Sequence, residues 1–153
     1  MDHVLIKARL ILRQTDKVLL LAQTSENGGK FTLPGGTVEN TEFAKTTLMR
    51  ECKEEIGITL SPNKLQLIHV LHKRKGKENR ITLYFSAREY EGQLVALETE
   101  KFRGITWCLP SRLPQKTSAT VKHVLQQIEL GRLYSEFEKK ANSANLGRKR
   151  WDW

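Results

Sequence analysis

The segment Arg50-Glu51-Cys52-Lys53-Glu54-Glu55-Ile56-Gly57 constrains the fold more than any other part of the sequence, because it places three carboxylates within five positions. The chain of 153 residues carries a formal net charge of +9, so this acidic run differs from its surroundings. Like charges one helical turn apart repel each other and destabilise a helix. A helix over residues 41–56, at about 100° per residue, places Glu51, Glu54 and Glu55 on one face, between an apolar stripe and solvent. Carboxylates gathered in this way need cations beside them.

A divalent cation is the partner that such a cluster favours. Carboxylate oxygens suit hard ions such as Mg²⁺, which usually shares its ligand shell with substrate phosphates. Just before the helix, Gly35 and Gly36 allow the backbone to approach a ligand closely, and a helix N-terminus favours anions. Together these features predict a metal-assisted phosphate site, although the carboxylate run alone is more typical of a solvated, Glu-rich helix turn.

Alternating and apolar segments predict a sheet in the rest of the chain. The expected strands are residues 4–12, 17–22, 31–33, 65–71, 80–88 and 104–109. Residues 34–36, Pro-Gly-Gly, are expected to end the third strand, and residues 73–77 to form a basic turn.

Two helices accompany these strands. The first is expected to be capped by Asn40 or Thr41, to carry Glu42 in its first turn and to end at Gly57. The second is expected over residues 118–130 and to end at Gly131. With no internal repeat and no linker, the elements predict one α/β or α+β domain over residues 1–138, followed by a basic tail over residues 139–153.

Composition narrows the class of partner. The chain has 26 Lys and Arg against 17 Asp and Glu, a balance that suggests an anionic partner such as a nucleotide, nucleic acid or acidic lipid. No apolar run approaches the roughly 20 residues of a membrane span. Cys52 and Cys108 show no ligand spacing, and nothing indicates export, so the cytoplasm is the expected location. His69 and His72 would lie on opposite faces of a strand, which argues against a zinc site.

The acidic run is part of a longer pattern of residues at fixed spacing. From Gly36 it reads Gly, five residues, Glu42, seven residues, and then residues 50–58. This resembles the Nudix box, Gly-x5-Glu-x7-Arg-Glu-U-x-Glu-Glu-x-Gly-U, where U is bulky and apolar. The departure is Cys52 at the first U position, where a small buried hydrophobe affects packing more than chemistry. Residues 31–36, Phe-Thr-Leu-Pro-Gly-Gly, are similar to the usual lead-in to that box. On these residues the chain resembles the Nudix hydrolases.

This resemblance implies a fold and a reaction. The fold is an α/β/α sandwich with a central mixed sheet. The reaction is hydrolysis of the pyrophosphate linkage in a nucleoside diphosphate joined to a group X, with Mg²⁺ as cofactor and Mn²⁺ as an alternative. The short chain is similar to the small MutT-like members, which would convert a nucleoside triphosphate, normal or oxidised, to a monophosphate and pyrophosphate.

The resemblance also assigns roles to residues. It implies Glu51 and Glu55 as the main metal ligands, Glu54 as a further ligand or a base, and the Gly35 carbonyl as an additional ligand. Arg50 would orient the glutamates, and Glu42 would support Arg50. A distal base or extra ligand is expected in the loop before Trp107, with Glu100 as first choice and Glu98 as second. The substrate-binding candidates are Gly36, Phe31 and Arg9.

Several alternatives stay open from the sequence. An RNA 5′-end pyrophosphohydrolase would use the same chemistry, with residues 74–77 and the basic tail holding the RNA backbone. A non-catalytic nucleotide sensor is disfavoured because all of the box glutamates are present. The basic tail with Trp151 and Trp153 lacks an amphipathic helix pattern, so no membrane partner is expected. The identity of X, and the choice between monomer and homodimer, are not fixed.

Overall fold

The computed structural model describes residues 3–139. Its two helices are α1 (Ala44–Ile56) and α2 (Ala119–Glu129). Its strands are β1 (Val4–Ile11), β2 (Arg13–Gln14), β3 (Lys17–Gln23), β4 (Phe31–Thr32), β5 (Gly35–Thr37), β6 (Leu65–Lys75), β7 (Glu78–Ala87), β8 (Phe102–Cys108) and β9 (Tyr134–Glu138). Neither helix in this range is long and apolar enough to cross a membrane.

The strands form two sheets. The first has the order β5-β1-β7-β6-β9, and the second contains β2, β3 and β4, with β8 paired to β3. In the first sheet β1 is parallel to β7 and β6 is parallel to β9, whereas the β1–β5 and β6–β7 pairs are antiparallel. This mixed sheet with two helices confirms the predicted α/β/α architecture.

Two apolar clusters hold the helices on the first sheet. Leu10 of β1 lies in a cluster with Leu48 and Ile56 of α1. Ile11, the next residue of the strand, lies in a second cluster with Val124 of α2. Because successive side chains of a strand point to opposite faces, the two helices cover opposite faces of β1.

The first helix begins later than the sequence predicted. α1 starts at Ala44, so neither Asn40 nor Thr41 caps it, and Glu42 lies before the helix rather than in its first turn. The Glu42 carboxylate instead accepts hydrogen bonds from Arg50 of α1. These bonds hold the segment that precedes the helix against the side of the helix. The predicted helix end is confirmed, since Gly57 caps α1 with a φ of 76°.

The strands differ from the prediction at three places. The third strand ends before Pro34, as predicted, but Gly35–Thr37 was not predicted as a strand; it forms β5 and pairs with β1. β6 continues to Lys75, so the basic turn shrinks to Gly76 and Lys77, between β6 and β7. β9 was not predicted; it adds to β6 as a parallel edge strand. The predicted basic tail lies outside the described residues, apart from Lys139, and stays a prediction.

Candidate active site

Three carboxylates meet beside β5. Glu51 and Glu55 lie one turn apart on α1, and Glu98 lies in the loop before β8. Each offers one oxygen within 4.8 Å of the others. We refer to Glu51, Glu55 and Glu98 as the carboxylate cluster. Three hard oxygen donors so close together are the ligands that Mg²⁺ and Mn²⁺ prefer.

Two glycines bring the backbone of β5 against this cluster. The Gly35 amide donates a hydrogen bond to Glu55 Oε1 at 2.8 Å. Gly35 has a φ of 137°, and a Cβ there would clash with the Ala8 carbonyl oxygen. At Gly36 a Cβ would lie 2.7 Å from Glu51 Oε1. Both positions therefore need glycine if the carboxylates are to stay where they are.

Arg50 lies among the glutamates and fixes their positions. Its Nε and Nη2 donate to the two oxygens of Glu42 at 2.8 and 3.0 Å, a bidentate pair. Its Nη1 donates to Glu51 Oε1 at 3.0 Å and lies 3.4 Å from Glu54 Oε2. The hydrogen bond from Arg50 lowers the pKa of Glu42 to about 2. Glu42 is thus ionised and orients Arg50 over a wide range of pH.

Burial changes the acidity of the carboxylate cluster in the opposite direction. Glu55 is 5% exposed, and burial raises its pKa to about 8, although Arg9 and the Gly35 amide favour the ionised form. Burial also raises the pKa of Glu51, against the effect of Arg50. In the metal-free protein the ionised cluster is therefore disfavoured, and a bound cation would reverse this.

A further observation on Glu98 fits a cation at this position. Glu98 Oε1 is buried and has no hydrogen-bond partner within the described range 3–139. Its other oxygen, Oε2, lies 3.3 Å from Lys101 Nζ. A buried carboxylate oxygen without a donor is costly, and a metal ion would satisfy it. The donor set and this oxygen together fit a divalent ion held by the carboxylate cluster.

The structure separates the two loop glutamates that the sequence considered. Glu98, the second choice, joins the carboxylate cluster. Glu100, the first choice, is exposed and lies outside it, and its backbone carbonyl accepts hydrogen bonds from Thr24 and Asn27. Glu54 also lies outside the group of three, with 49% of its side chain exposed at the rim. No pattern in the loop sequence distinguishes Glu98 from Glu100, because the path of the loop decides which one faces the helix.

Arg9 and Phe31, which were predicted to bind substrate, lie in different surroundings. Arg9 is 4% exposed, donates from Nη1 to the Leu33 carbonyl at 3.0 Å, and acts electrostatically on Glu55. Phe31 is half-buried against the α2 side of the core, and the Arg103 guanidinium lies 5.6 Å from its ring centroid. The structure therefore places Arg9 beside the carboxylate cluster, whereas Phe31 packs against the core.

Comparison with known proteins agrees with this geometry. The family model described as the NUDIX domain matches residues 5–128. The MutT NUDIX hydrolase of Burkholderia pseudomallei superposes with a TM-score of 0.73 at 22% identity, over 82% of this chain and 98% of that chain. The MutT protein of Bacillus halodurans gives 0.71 at 23% identity, over 89% and 90%. An ADP-ribose pyrophosphatase of Streptococcus suis gives 0.57 at 16% identity, over 88% and 98%.

The comparisons with curated proteins, with solved structures and with the family model carry different weight. Comparison with curated proteins gives no significant sequence match. At these identities the solved structures establish the fold, whereas the family model spans most of the chain and includes the whole carboxylate cluster. The chain therefore belongs to the NUDIX family of pyrophosphohydrolases.

Proposed function

We propose that this protein hydrolyses the pyrophosphate linkage of a nucleoside diphosphate joined to a group X, with Mg²⁺ as its cofactor. The observation that carries the proposal is the carboxylate cluster, whose oxygens lie within 4.8 Å of one another beside the backbone of Gly35 and Gly36. Hard oxygen ligands of this kind hold Mg²⁺ together with phosphate oxygens. The same ligands accept Mn²⁺.

Glu51, Glu55 and Glu98 would hold the ion, and the Gly35 carbonyl is proposed as a further ligand. When bound, the ion stabilises charge on the phosphoryl oxygens and lowers the pKa of a bound water. Arg50 keeps Glu51 in place through the 3.0 Å hydrogen bond. Such fixed placement of the reacting groups removes much of the entropic part of the barrier.

Glu54 is proposed to accept the proton of the attacking water. Its carboxylate shares the helix face with the cluster, lies 3.4 Å from Arg50 Nη1 and is half exposed, so solvent reaches it. A general base must lie within hydrogen-bond reach of the proton that it removes. The sequence predicted Glu100 as a distal base, and Glu100→Gln in the same assay tests that prediction.

A nucleoside triphosphate, normal or oxidised, is the proposed substrate. Water attacks a phosphorus atom, the bridging P–O bond breaks, and a monophosphate and pyrophosphate leave. The proposal is supported by the near-complete coverage of small MutT proteins by this chain, 98% for that of Burkholderia pseudomallei. An RNA 5′-end is kept as a second substrate in the test, because Arg74 is exposed on β6 and Lys77 in the turn that follows it.

A nucleotide panel tests the proposal. Phosphate release is measured with Mg²⁺ on normal and oxidised nucleoside triphosphates and 5′-triphosphorylated RNA with a coupled pyrophosphatase, and on ADP-ribose, whose products are two monophosphates, with a coupled alkaline phosphatase. Wild type is compared with Glu51→Gln, and with Glu129→Gln as a surface control on α2. We expect one class of substrate to be turned over, Glu51→Gln to lose this activity and Glu129→Gln to keep it. Turnover that survives in Glu51→Gln, or that needs no metal, would contradict the proposal.

A further inference from the structure

The polar loop at residues 24–29, which follows β3, reaches across to the segment that carries Glu98. We refer to it as the 24–29 loop, and to residues 98–101 as the Glu98 turn. The 24–29 loop contains one 3₁₀ turn, Ser25–Asn27, with Thr24 in the N-cap position. A threonine in this position usually accepts a hydrogen bond from the backbone of its own turn. The Thr24 side chain makes no capping bond, and its hydroxyl donates instead to the Glu100 carbonyl at 3.2 Å.

Asn27 is directed at the same carbonyl. Its Nδ2 donates to the Glu100 carbonyl at 3.0 Å and to Thr24 Oγ1 at 3.1 Å. A carbonyl oxygen can only accept a hydrogen bond, so the amide nitrogen of Asn27 has to face it. The Thr24 backbone amide adds a bond to the Lys101 carbonyl at 2.8 Å. Thr24 and Asn27 thus hold two consecutive carbonyls at the end of the Glu98 turn.

The Glu98 turn is closed by its own backbone. The Glu98 carbonyl accepts hydrogen bonds from the amides of Lys101 and Phe102, each at 2.9 Å. Just before the turn, the Leu97 amide donates to the Glu55 carbonyl of α1 at 2.9 Å. The turn therefore moves as a unit, and its position relative to α1 depends on contacts with other segments. The Leu97 bond is such a contact on one side, and the 24–29 loop supplies the contacts on the other.

Strand pairing alone does not fix this position. The 24–29 loop continues β3, and the Glu98 turn leads into β8, which pairs with β3. The register of this pair shifts between Ala22 and Gln23, and Gln23 lies opposite Phe102. Such an irregularity disrupts the ladder and changes its twist locally. The bonds made by Thr24 and Asn27 lie directly beyond this point and fix the two segments to each other.

The 24–29 loop is itself well held, so it can hold another segment. The amides of Asn27 and Gly29 donate to the Thr24 carbonyl at 3.0 and 2.9 Å. The Lys30 amide donates to Gln23 Oε1 at 3.2 Å and closes the base of the loop. Because their own backbone is bonded in this way, Thr24 and Asn27 present their donors from a fixed place.

Glu98 depends on the position of its turn for its place in the carboxylate cluster. Its Oε1 is buried without a hydrogen-bond partner among residues 3–139. Its Oε2 lies 3.3 Å from the Nζ of Lys101, which belongs to the same turn and moves with it. Contacts from outside the turn must therefore set where this carboxylate lies. A metal site requires its ligands to be held within about 0.5 Å of the correct geometry.

We propose that Thr24 and Asn27 are positioning residues for metal binding, which place Glu98 in the carboxylate cluster by holding the carbonyls of Glu100 and Lys101. This inference rests on the proposed function, since it takes Glu98 as a ligand of the ion. Loss of a residue that orients a metal ligand typically weakens metal affinity by about 10- to 100-fold. Glu100 then contributes through its backbone carbonyl rather than through its side chain.

The first test measures Mn²⁺ affinity by electron paramagnetic resonance, without substrate. Asn27→Ala removes the amide donor, and Thr24→Val removes the hydroxyl but keeps the shape of the side chain. Thr24→Ser keeps the hydroxyl, and Ser25→Ala is a control at an exposed position of the same loop. We expect the first two variants to weaken Mn²⁺ binding about tenfold and the last two less than about twofold. Wild-type affinity in both Asn27→Ala and Thr24→Val would overturn the inference.

The second test shows whether these residues act through Glu98. The Mn²⁺ affinities of wild type, Asn27→Ala, Glu98→Gln and the double variant form a double-mutant cycle. We expect Asn27→Ala to change the affinity less than about twofold once Glu98→Gln is present. An equal loss in both backgrounds would indicate a general effect on the fold and would overturn the inference, as would wild-type affinity in Glu98→Gln. If Asn27→Ala does not fold by circular dichroism, Thr24→Val takes its place in the cycle.

Hydrolysis assays separate this inference from the proposed function. We expect Asn27→Ala to need about tenfold more Mg²⁺ than wild type for half-maximal hydrolysis of the best nucleotide. Hydrolysis by the wild type with an unchanged Mg²⁺ requirement in Asn27→Ala would overturn the inference alone. Mn²⁺ binding that depends on Glu98 and Asn27, in a wild type that hydrolyses no nucleotide, would support the inference and overturn the proposed function.

Discussion

The carboxylate cluster and the four buried basic side chains of the first sheet, Lys7, Arg9, Lys73 and Arg80, are both groups of buried ionisable residues, but they are assembled in different ways. Two of the three carboxylates come from one turn of α1, where the helix itself sets their spacing. The four basic side chains come from three strands, and their proximity depends on strand register. A charged site built along a helix is therefore visible in adjacent residues, whereas one built across a sheet is visible only in the tertiary structure.

The largest expected effect distinguishes the two regions by how far a substitution in each lowers kcat. Glu55→Gln should lower kcat by about 10³-fold or more, because the ion supplies several kcal/mol of transition-state stabilisation. Lys7→Met should leave kcat within about threefold of the wild-type value, because Lys7 is neither one of the proposed metal ligands nor the proposed base. Steady-state kinetics on the best substrate measures both parameters. A loss of kcat in Lys7→Met as large as that in Glu55→Gln would show that the two regions are not separate in function.

A smaller effect is expected when the backbone beside the carboxylates is changed. Gly36→Ala would place a Cβ 2.7 Å from Glu51 Oε1, whereas Gly104→Ala, the control on β8, has no atom within 4 Å. Displacement of Glu51 should weaken metal binding about 10- to 100-fold, and Gly104→Ala should not change it. Titration with Mn²⁺ followed by electron paramagnetic resonance gives both affinities. Equal Mn²⁺ affinities in Gly36→Ala and Gly104→Ala would show that Glu51 is not a metal ligand.

The pH dependence of metal binding should show about a tenfold effect. Burial raises the pKa of Glu55 to about 8, so below this pH a bound ion must displace a proton. The affinity for Mn²⁺ should therefore rise by about tenfold between pH 7 and 9 and then level off. Glu55→Gln should bind weakly with little dependence on pH in this range. A wild-type affinity that is flat across the range would contradict the raised pKa.

The smallest expected effect is on the stability of the metal-free protein. The pKa of Glu55 is higher in the folded than in the unfolded chain, so its contribution to stability is present below pH 4.5 and is lost as the pH rises through about 8. Glu55→Gln has no charge to bury, and at pH 8.5 in EDTA it should be about 1–2 kcal/mol more stable than wild type. Urea unfolding at pH 4.5 and 8.5 measures the difference. If the wild type is instead more stable than Glu55→Gln at pH 8.5, the charge of Glu55 is already well matched without metal.

The sequence predicted the helix-borne part of the site because that part is local. Glu51 and Glu55 fall on one face at any plausible helix register, and an error of three residues in the helix start did not move them apart. Glu42 was placed in the first turn of the helix, but it lies before Ala44, and its carboxylate pairs with Arg50 as the box implies. The box spacing identifies residues well even where the local structure is predicted incorrectly.

The grouping of the four basic side chains on the first sheet could be predicted only in part from the sequence. Lys7 and Arg9 alternate with apolar residues in β1, which already places two cations on one face. Lys73 was assigned to a basic turn and Arg80 to the start of a strand, so nothing indicated that they face each other. The pairing of β6 with β7, which begins at Lys75 and Glu78, decides this, and it is a property of the folded chain.

The electrostatic interaction of Arg9 with Glu55 and Glu51 has a thermodynamic consequence. If an ion at Glu55 strengthens the attraction of Arg9 for an oxyanion, the oxyanion must strengthen ion binding by the same factor, because coupling between two binding equilibria is reciprocal. Metal and substrate would then load cooperatively. When hydrolysis separates the two parts of the substrate, each product retains only part of this coupling, and the ion and the products are released more readily than the intact substrate.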